Sequence, residues 1–190
     1  MMSMRRFAVV LFVIFLSAAR HASAQVIESA SVRGFGLTAG GFGSFFNPGD
    51  SGNQYYPSGS NYLIGLGTYV DVRFTHWIQV EAEGRWLRFN EYNGENMDHY
   101  LIGPRIPVHQ WGRADAYAKA LFGVGKMTFP YNYGHGSFTA LAYGGGVDYR
   151  MSRKLTIRAV DFELQQWPKW LPASALYPWG VSVGVGYKVF

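Results

Sequence analysis

The sequence contains no cysteine. This absence excludes disulfide bonds, thiolate metal sites, a cysteine nucleophile and a lipid anchor on a cysteine. Charged residues are also scarce, since they make up 15% of the chain, compared with about 25% in an ordinary soluble domain. Hydrophobic residues reach 48% and aromatic residues 17%, and this composition excludes a disordered chain. The protein therefore folds without covalent cross-links.

Long hydrophobic runs are missing beyond the N-terminal segment. There, a pair of arginines precedes the apolar stretch 7–16, and small residues at 22–24 provide a site that signal peptidase accepts. The apolar stretch is too short for a spanning helix, which needs about 20 residues. We predict a cleavable signal peptide over residues 1–24 and one mature domain over residues 25–190. The mature chain is then either soluble outside the inner membrane or crosses a membrane as a closed β-barrel.

A strong excess of charge of one sign is missing too. The formal net charge of +5 includes three arginines of the segment 1–24, which contains no acidic residue. Without them the mature chain has 14 basic and 12 acidic residues, and this balance gives no support for a nucleic-acid partner. The 24 glycines argue against a helical protein, because glycine costs about 1 kcal/mol relative to alanine inside a helix. A sheet protein is the remaining class.

Apolar and polar residues alternate with period two through most of the mature chain, which indicates β-strands. In the segment 78–86, for example, Val80 lies on one face, whereas Glu81 and Glu83 lie on the other. We predict eight strands, over residues 32–46, 62–74, 78–86, 100–108, 116–124, 141–149, 155–164 and 179–189. The first strand is apolar at both parities, so its facing stays open. In the seventh strand the parity changes near Ala159, which predicts a β-bulge.

The connections between the predicted strands alternate in length. Tight turns follow strands two, four and six, whereas longer segments with turn residues follow strands one, three, five and seven. The longer connections are 47–61, 90–98, 130–137 and 166–178. An even number of strands, with short turns at one end and long loops at the other, is typical of outer-membrane β-barrels.

Alternation alone does not distinguish a membrane barrel from a soluble one. A soluble, secreted lipocalin-like barrel that binds an apolar ligand would place Val70, Val80 and Val183 inside. We favour the membrane barrel, because charges of both signs occupy mid-strand positions and would pair in a narrow lumen. The predicted lumen charge network consists of Asp71, Arg73, Glu81, Glu83, Arg85, Arg105, Asp115, Lys119, Asp148, Arg150, Arg158, Asp161 and Glu163. The predicted aromatic girdle at the membrane interfaces consists of Trp77, Trp86, Tyr92, Tyr100, Trp111 and Trp179.

Four features together resemble the small eight-stranded outer-membrane β-barrels of Gram-negative bacteria, the OmpA/OmpX-like family. They are the signal peptide, the charged inward ladder, the glycine-rich last strand 180–190 and the terminal aromatic residue Phe190. The resemblance covers the mature chain and implies an all-β, eight-stranded, antiparallel up-and-down transmembrane barrel in the outer membrane. It also implies contact with outer-membrane lipid and lipopolysaccharide, and recognition of the last strand by the barrel-assembly machinery.

The interior of an eight-stranded barrel is only wide enough to be filled by side chains. We therefore expect a lumen filled by salt bridges rather than an open pore, and a structural or surface-interaction role such as membrane integrity or adhesion. An ion or proton path along the same charges is the alternative for the lumen. No cofactor is predicted, and the histidines lack the i+2 or i+4 spacing that favours a metal site.

One motif favours an enzyme instead. His135-Gly136-Ser137 resembles the His-x-Ser fragment of the lipid A deacylases, in which the histidine activates the serine. No asparagine follows Ser137, and the nearest downstream acid, Asp148, is predicted to point into the lumen. A lipid A-modifying enzyme is therefore the less favoured alternative, and no catalytic residue is predicted. Another histidine, His109, is predicted to face the lumen at the turn end.

The predicted loops are aromatic and sparsely charged, with Tyr131, Tyr133 and Trp167 among their residues. Exposed aromatic side chains bind sugars and protein surfaces, and they also pack at membrane interfaces. We favour packing at the interface. Which extracellular partner the loops bind, if any, stays open.

Overall fold

The computed structural model describes residues 35–49, 62–75, 77–90, 94–171 and 174–189, and the predicted signal peptide lies outside these ranges. The described residues form nine β-strands and one short 3₁₀ turn, Pro130–Asn132. The strands are β1 Gly36–Asn47, β2 Leu63–Arg73, β3 Gln79–Phe89, β4 Asn96–Trp111, β5 Ala114–Thr128, β6 His135–Arg150, β7 Leu155–Leu171, β8 Ser174–Leu176 and β9 Trp179–Lys188. Within these ranges no helix has the length and apolar character needed to span a membrane.

Eight of the nine strands form a closed antiparallel barrel. Strands β1 to β7 pair in sequence order, and β9 pairs with both β7 and β1. The ring closes between β1 and β9, where Thr38 lies opposite Lys188 and Asn47 lies opposite Trp179. The short strand β8 pairs with the end of β7 and takes no place in the ring. The prediction of an eight-stranded, antiparallel, up-and-down barrel is confirmed.

The strands of one wall are longer than predicted. Strands β4 to β7 contain 15 to 17 residues each, whereas β1 to β3 contain 11 or 12. The predicted loop 166–178 was therefore wrong for the most part, because β7 continues to Leu171 and pairs with β8. Likewise β4 begins at Asn96 and β6 begins at His135. Backbone pairing between the strands continues in these extensions, although their outward side chains are polar. The alternation of apolar and polar residues therefore ends before the strands do.

β-Bulges change the facing of side chains in β3, β4 and β7. The predicted bulge in β7 is confirmed, because Ala159 and Val160 together lie opposite one residue of β9. A second bulge places Val108 as an extra residue in β4, between the pairs that Pro107 and His109 make with β5. This bulge turns His109 outward, where its ring is 4.5 Å from that of Trp111. The prediction that His109 faces the lumen was wrong for this reason.

The apolar face of each strand lies on the outer wall. Val70 is 39% exposed and Val183 is 56% exposed, whereas Glu81 and Arg158 in the lumen have no exposed surface. These positions are the reverse of those required by a soluble barrel with an apolar interior. In β1, whose facing the sequence left open, Phe42 and Phe46 point inward and Phe45 points outward.

The strands that close the ring are lined by glycine on their inner face. A Cβ atom on Gly180 of β9 would overlap the ring of Phe46, and one on Gly186 would overlap the hydroxyl of Tyr69. The missing side chains on β9 therefore leave the space that aromatic side chains of β1 and β2 fill. Packing across the closing pair of strands depends on these close approaches.

Candidate functional site: the barrel lumen

Ten charged side chains lie buried in the lumen, on strands β2 to β7. The period-two alternation places them there, because the outward positions between them are apolar or small. We call this set the lumen network, and it consists of Asp71, Glu81, Glu83, Arg85, Arg105, Lys119, Asp148, Arg158, Asp161 and Glu163.

Lys119 of β5 lies at the centre of the lumen network. Its Nζ atom is 3.1 Å from Glu81 Oε1, 3.0 Å from Glu83 Oε2, 2.9 Å from Asp161 Oδ2 and 3.1 Å from Glu163 Oε2. The first two carboxylates belong to β3 and the other two to β7. One ammonium group therefore joins the two walls.

Arg158 of β7 also reaches across the lumen. Its Nη2 atom is 2.8 Å from Glu81 Oε2 on β3, and its Nη1 atom is 3.1 Å from Asp161 Oδ2. Strands β3 and β7 are four strands apart in either direction around the ring, so they lie opposite each other. The guanidinium also stacks on the ring of Tyr69, 3.7 Å from its centroid. The pair Arg158–Glu81 thus spans the diameter of the barrel.

Arg105 of β4 occupies the part of the lumen nearer the tight turns. It binds Asp71 Oδ2 at 2.6 Å and also pairs with Asp148. Its guanidinium lies 3.6 Å from the centroid of the Tyr117 ring. This contact covers one face of the cation with an aromatic surface.

Four cations and six carboxylates make up the lumen network, so carboxylates outnumber cations by two. An unpaired buried ion costs several kcal/mol, and this explains why each cation contacts two or more carboxylates. Glu81, Glu83 and Asp161 offer oxygens within 4.8 Å of one another, as a metal site would require. The Nζ atom of Lys119, however, occupies the space between these three carboxylates. The cation that these oxygens coordinate in this structure is the ammonium.

Three residues of the predicted network lie apart from it, at the turn end. Arg150 Nε is 3.0 Å from Asp115 Oδ2, and their side chains are 40% and 33% exposed. Arg73 is half-buried at the end of β2. The structure therefore does not bring these three residues into the buried network.

The half of the lumen nearer the loops is apolar, a feature that the sequence analysis missed. There the expectation of a lumen filled throughout by salt bridges was wrong, because an apolar cluster fills this part. The cluster consists of Phe46, Leu63, Leu87, Met97, Leu101, Leu121, Met127, Ala140, Ala142, Trp167 and Leu176. We call it the apolar plug. A Cβ atom on Gly125 would overlap the indole of Trp167, so this glycine makes room for the largest side chain of the plug.

A signal for the plug was present in the sequence. Leu63, Leu87 and Leu101 stand at the same parity as the charged residues of their own strands, but closer to the loop end. The inward face therefore changes from charged to apolar along each strand.

A chain of hydrogen bonds joins the plug to the lumen network. The indole Nε1 of Trp167 donates to Gln165 Oε1 at 2.8 Å, and Gln165 Nε2 donates to Glu163 Oε1 at 2.7 Å. The same amide nitrogen is 2.9 Å from Nδ1 of the buried His99. These hydrogen bonds pair polar side chains at the boundary between the two halves of the lumen, although Nε2 of His99 has no hydrogen-bond partner among the described residues.

The predicted girdle residues lie on the outer wall at both ends. Trp77 and Trp111 are exposed at the turn end, and Trp179 lies at the loop end. Also towards the loop end, Trp86 Nε1 donates a hydrogen bond of 3.0 Å to the hydroxyl of Tyr100. Tyr92 lies outside the described residues.

His135 and Ser137 lie side by side on the outward face of β6, at the loop end. Within the described part of the chain, neither side chain hydrogen-bonds to the other or to a carboxylate. Nucleophilic catalysis by serine needs a base within hydrogen-bond reach, and that base needs an orienting partner. The structure therefore places the motif on the outer wall without an assembled triad.

A closed barrel with an apolar outer wall and a charged lumen defines a class of proteins, the small β-barrels of bacterial outer membranes. The family model described as the outer membrane protein beta-barrel domain matches residues 8–188, and the chain belongs to this family. The protein is accordingly located in the outer membrane.

Solved structures that share this fold include the following two. Neisserial surface protein A is 11% identical, with a TM-score of 0.58 over 80% of this chain and 96% of that chain. The N-terminal β-barrel domain of OprF from Pseudomonas aeruginosa is 13% identical, with a TM-score of 0.54 over 80% of this chain and 96% of that chain. At these identities the likeness shows the fold alone. No curated protein matches the sequence.

Proposed function

We propose that the protein is a structural barrel of the outer membrane, with a closed lumen, that supports membrane integrity. The observation that supports this proposal is the set of ion pairs that connect opposite walls of the barrel across the lumen. Glu81 of β3 binds Arg158 of β7, and Lys119 binds carboxylates of both strands. Because these side chains pair across the full diameter of the barrel, we expect no continuous water path between the two ends.

The apolar plug supports the same function. Apolar side chains, among them Leu101, Leu121 and Trp167, fill the lumen above the charges. An ion that entered from the loop end would lose its hydration shell among apolar side chains, which is costly. The charged half and the apolar half therefore block ions in two different ways.

The loop end is the face that we assign to the cell exterior, with both termini in the periplasm. Short turns on the periplasmic side and long strands or loops outside are usual in this class. Tyr131 and Tyr133 at the β5–β6 connection are 64% and 88% exposed. Such aromatic side chains suit contacts with lipopolysaccharide or with another surface, so adhesion through this end is the finer function that we propose. Recognition of the last strand by the assembly machinery belongs to the same proposal, and Phe190 lies outside the described residues.

Conductance measurements test the closed lumen. The refolded protein is inserted into planar lipid bilayers, and insertion is checked by the mobility shift of the unboiled barrel on a gel. We expect no discrete current steps in potassium chloride, and no swelling of vesicles in isotonic sugar. Reproducible single-channel steps from inserted protein would overturn the proposal.

Deletion of the gene is expected to increase sensitivity to detergents, and the wild-type gene is expected to restore resistance.

A further inference from the structure

The outer wall of the barrel carries a polar groove at the loop end, on strands β3 to β6. Its volume is about 510 Å³. The side chains that decide its chemistry are Arg88, Asp98, Lys126, His135 and Ser137. We call it the rim groove. None of these side chains belongs to the lumen network.

Strand register brings the groove residues together. Asp98 of β4 lies opposite Lys126 of β5, which lies opposite Ser137 of β6. All three stand at the outward parity of their strands. The two outward rows nearer the turns are mainly apolar, and they consist of Tyr100, Val124, Thr139, Ile102, Phe122 and Leu141. The rim groove therefore begins where the apolar wall ends.

The height of the groove follows from the length of the apolar wall. The outward residues of β5 are apolar from Ala114 to Val124. These ten residue steps span about 33 Å along the strand, which at the usual tilt of about 40° is about 25 Å. This is the thickness of the apolar band of an outer-membrane barrel. Lys126, the next outward residue, lies at the level of the lipid headgroups.

The groove has an excess of positive charge. Arg88 binds Asp98 with two donors, Nη2 at 2.6 Å and Nε at 3.3 Å, so the one carboxylate of the groove is neutralised. Lys126 lies 5.5 Å from the centroid of the Tyr100 ring. Among the described residues, no carboxylate lies within ion-pair distance of the Lys126 ammonium. The hydroxyl of Ser137 and the ring of His135 add hydrogen-bond donors.

We propose that the rim groove binds the phosphate group of a lipid headgroup in the outer leaflet. An ammonium group with neighbouring hydroxyl and imidazole donors is a suitable set of ligands for phosphate. A lipid fits this place better than free phosphate does, because its acyl chains can lie on Val124 and Phe122, in the two outward rows below Lys126. The inference rests on the location of the barrel in the outer membrane and not on the closed lumen, so conductance results do not bear on it.

Binding measurements in a phosphate-free detergent test the proposal. The full-length protein is titrated with diphosphoryl lipid A and with the same lipid after removal of its phosphates. We expect the phosphorylated lipid to bind at least about tenfold more tightly, the loss expected for one charge-assisted hydrogen bond. Lys126→Gln is expected to remove this difference. Lys154→Gln, which removes an exposed lysine near the turn end, is the matched control and keeps it.

Two further measurements distinguish a lipid phosphate from free phosphate, and a lost binding site from a misfolded variant. Inorganic phosphate alone is expected to bind at least about a hundredfold more weakly than diphosphoryl lipid A, because it lacks the apolar contacts. Equal affinity for the two lipids, or an unchanged difference in Lys126→Gln, would overturn the proposal. Tight binding of inorganic phosphate with no gain from the lipid would overturn it as well. Lys126→Arg keeps the charge and is expected to retain the difference, which excludes a loss through misfolding.

Discussion

Arg85 and Glu163 form an ion pair of 2.9 Å across the lumen, although they are 78 positions apart in the sequence. Both side chains are only 1% exposed, and they stand on the opposed strands β3 and β7. Arg85 also binds Glu83 at 3.1 Å and lies 4.6 Å from the centroid of the Phe46 ring. The pair therefore connects the two walls just below the apolar plug.

Removal of Arg85 is expected to destabilise the barrel strongly. Arg85→Gln leaves the carboxylates of Glu83 and Glu163 short of a partner, and breaking a buried ion pair costs about 3–5 kcal/mol. The double variant Arg85→Gln/Glu163→Gln is expected to cost less than the sum of the single variants, with a coupling of about 1–3 kcal/mol. The measurement is the free energy of unfolding in urea, in phospholipid vesicles.

The surface pair Arg88–Asp98 provides the control for this experiment. Its ion pair of 2.6 Å joins an Arg88 side chain that is 55% exposed to an Asp98 side chain that is 11% exposed. Because Arg88 keeps its contact with water, the attraction is screened, and Arg88→Gln is expected to cost about 1 kcal/mol, clearly less than Arg85→Gln. Equal losses for Arg85→Gln and Arg88→Gln would contradict the account of the lumen given above.

Because carboxylates outnumber cations in the lumen network, we expect the loss of a carboxylate to cost less stability than the loss of a cation. In Asp71→Asn, Arg105 keeps its contacts with Asp148 and with Glu81 at 3.3 Å, and the carboxylate excess falls from two to one. We expect a loss of about 1 kcal/mol or less, as for a neutral replacement of a hydrogen-bond acceptor. Arg105→Gln raises the excess to three and is expected to cost about 3–5 kcal/mol. The measurement is the free energy of unfolding of the two variants in urea at one pH. A larger loss for Asp71→Asn than for Arg105→Gln would show that the excess of carboxylates does not affect stability.

Gly125 lies against the apolar plug, and a side chain at this position is expected to destabilise the barrel by steric overlap. In Gly125→Ala the new methyl group overlaps the indole of Trp167, and overpacking of a core costs about 1–3 kcal/mol. Gly43→Ala is the control, because a Cβ atom there meets nothing within 4 Å. The unfolding free energy of the control is expected to change by about 0.5 kcal/mol or less. The prediction fails if both alanine variants unfold at the same urea concentration.

If the apolar wall faces lipid, the loss of stability caused by an arginine on it depends on the depth of the substituted residue in the bilayer. Val183 of β9 is 56% exposed near the middle of the strand, whereas Tyr187 is 50% exposed near its turn end. An arginine at the bilayer midplane costs about 2–4 kcal/mol, compared with about 0–1 kcal/mol near the interface. Unfolding from vesicles is therefore expected to show a clearly larger loss for Val183→Arg than for Tyr187→Arg. Similar small losses at both positions would indicate that this face is in contact with water.

The sequence was sufficient to predict the eight strands of the ring, the facing of most of them, and all ten charged residues of the lumen network, together with three charges that lie apart from it. Period two separates the two faces wherever one is apolar and the other is charged, as in residues 79–86 of β3. The pattern also located the bulge at Ala159, because a parity change is visible when apolar residues stand on both sides of it. These features are local, so no tertiary information was needed.

Two features could not be predicted because local alternation does not record them. The bulge at Val108 lies beside Pro107, and the alternation ends before a change of parity becomes visible, so His109 was assigned to the wrong face. The apolar plug was missed because inward leucines such as Leu87 make both faces of a strand apolar at the loop end. The extensions of β4 to β7 were missed for a different reason, because their outward side chains are polar and the apolar row that marked each strand ends before them.

The junction of β1 and β9 has a further consequence for the way the molecule is held together. Thr38 and Lys188 are 150 positions apart, while every other junction in the described ring joins strands that follow each other along the chain, with only the short β8 inserted before β9. Before this junction forms, the polypeptide is a curled sheet with two unpaired edge strands. Loss of pairing at this junction would therefore open the cylinder and leave unsatisfied amides facing hydrocarbon, and no short connection of the chain would hold the two separated strands side by side.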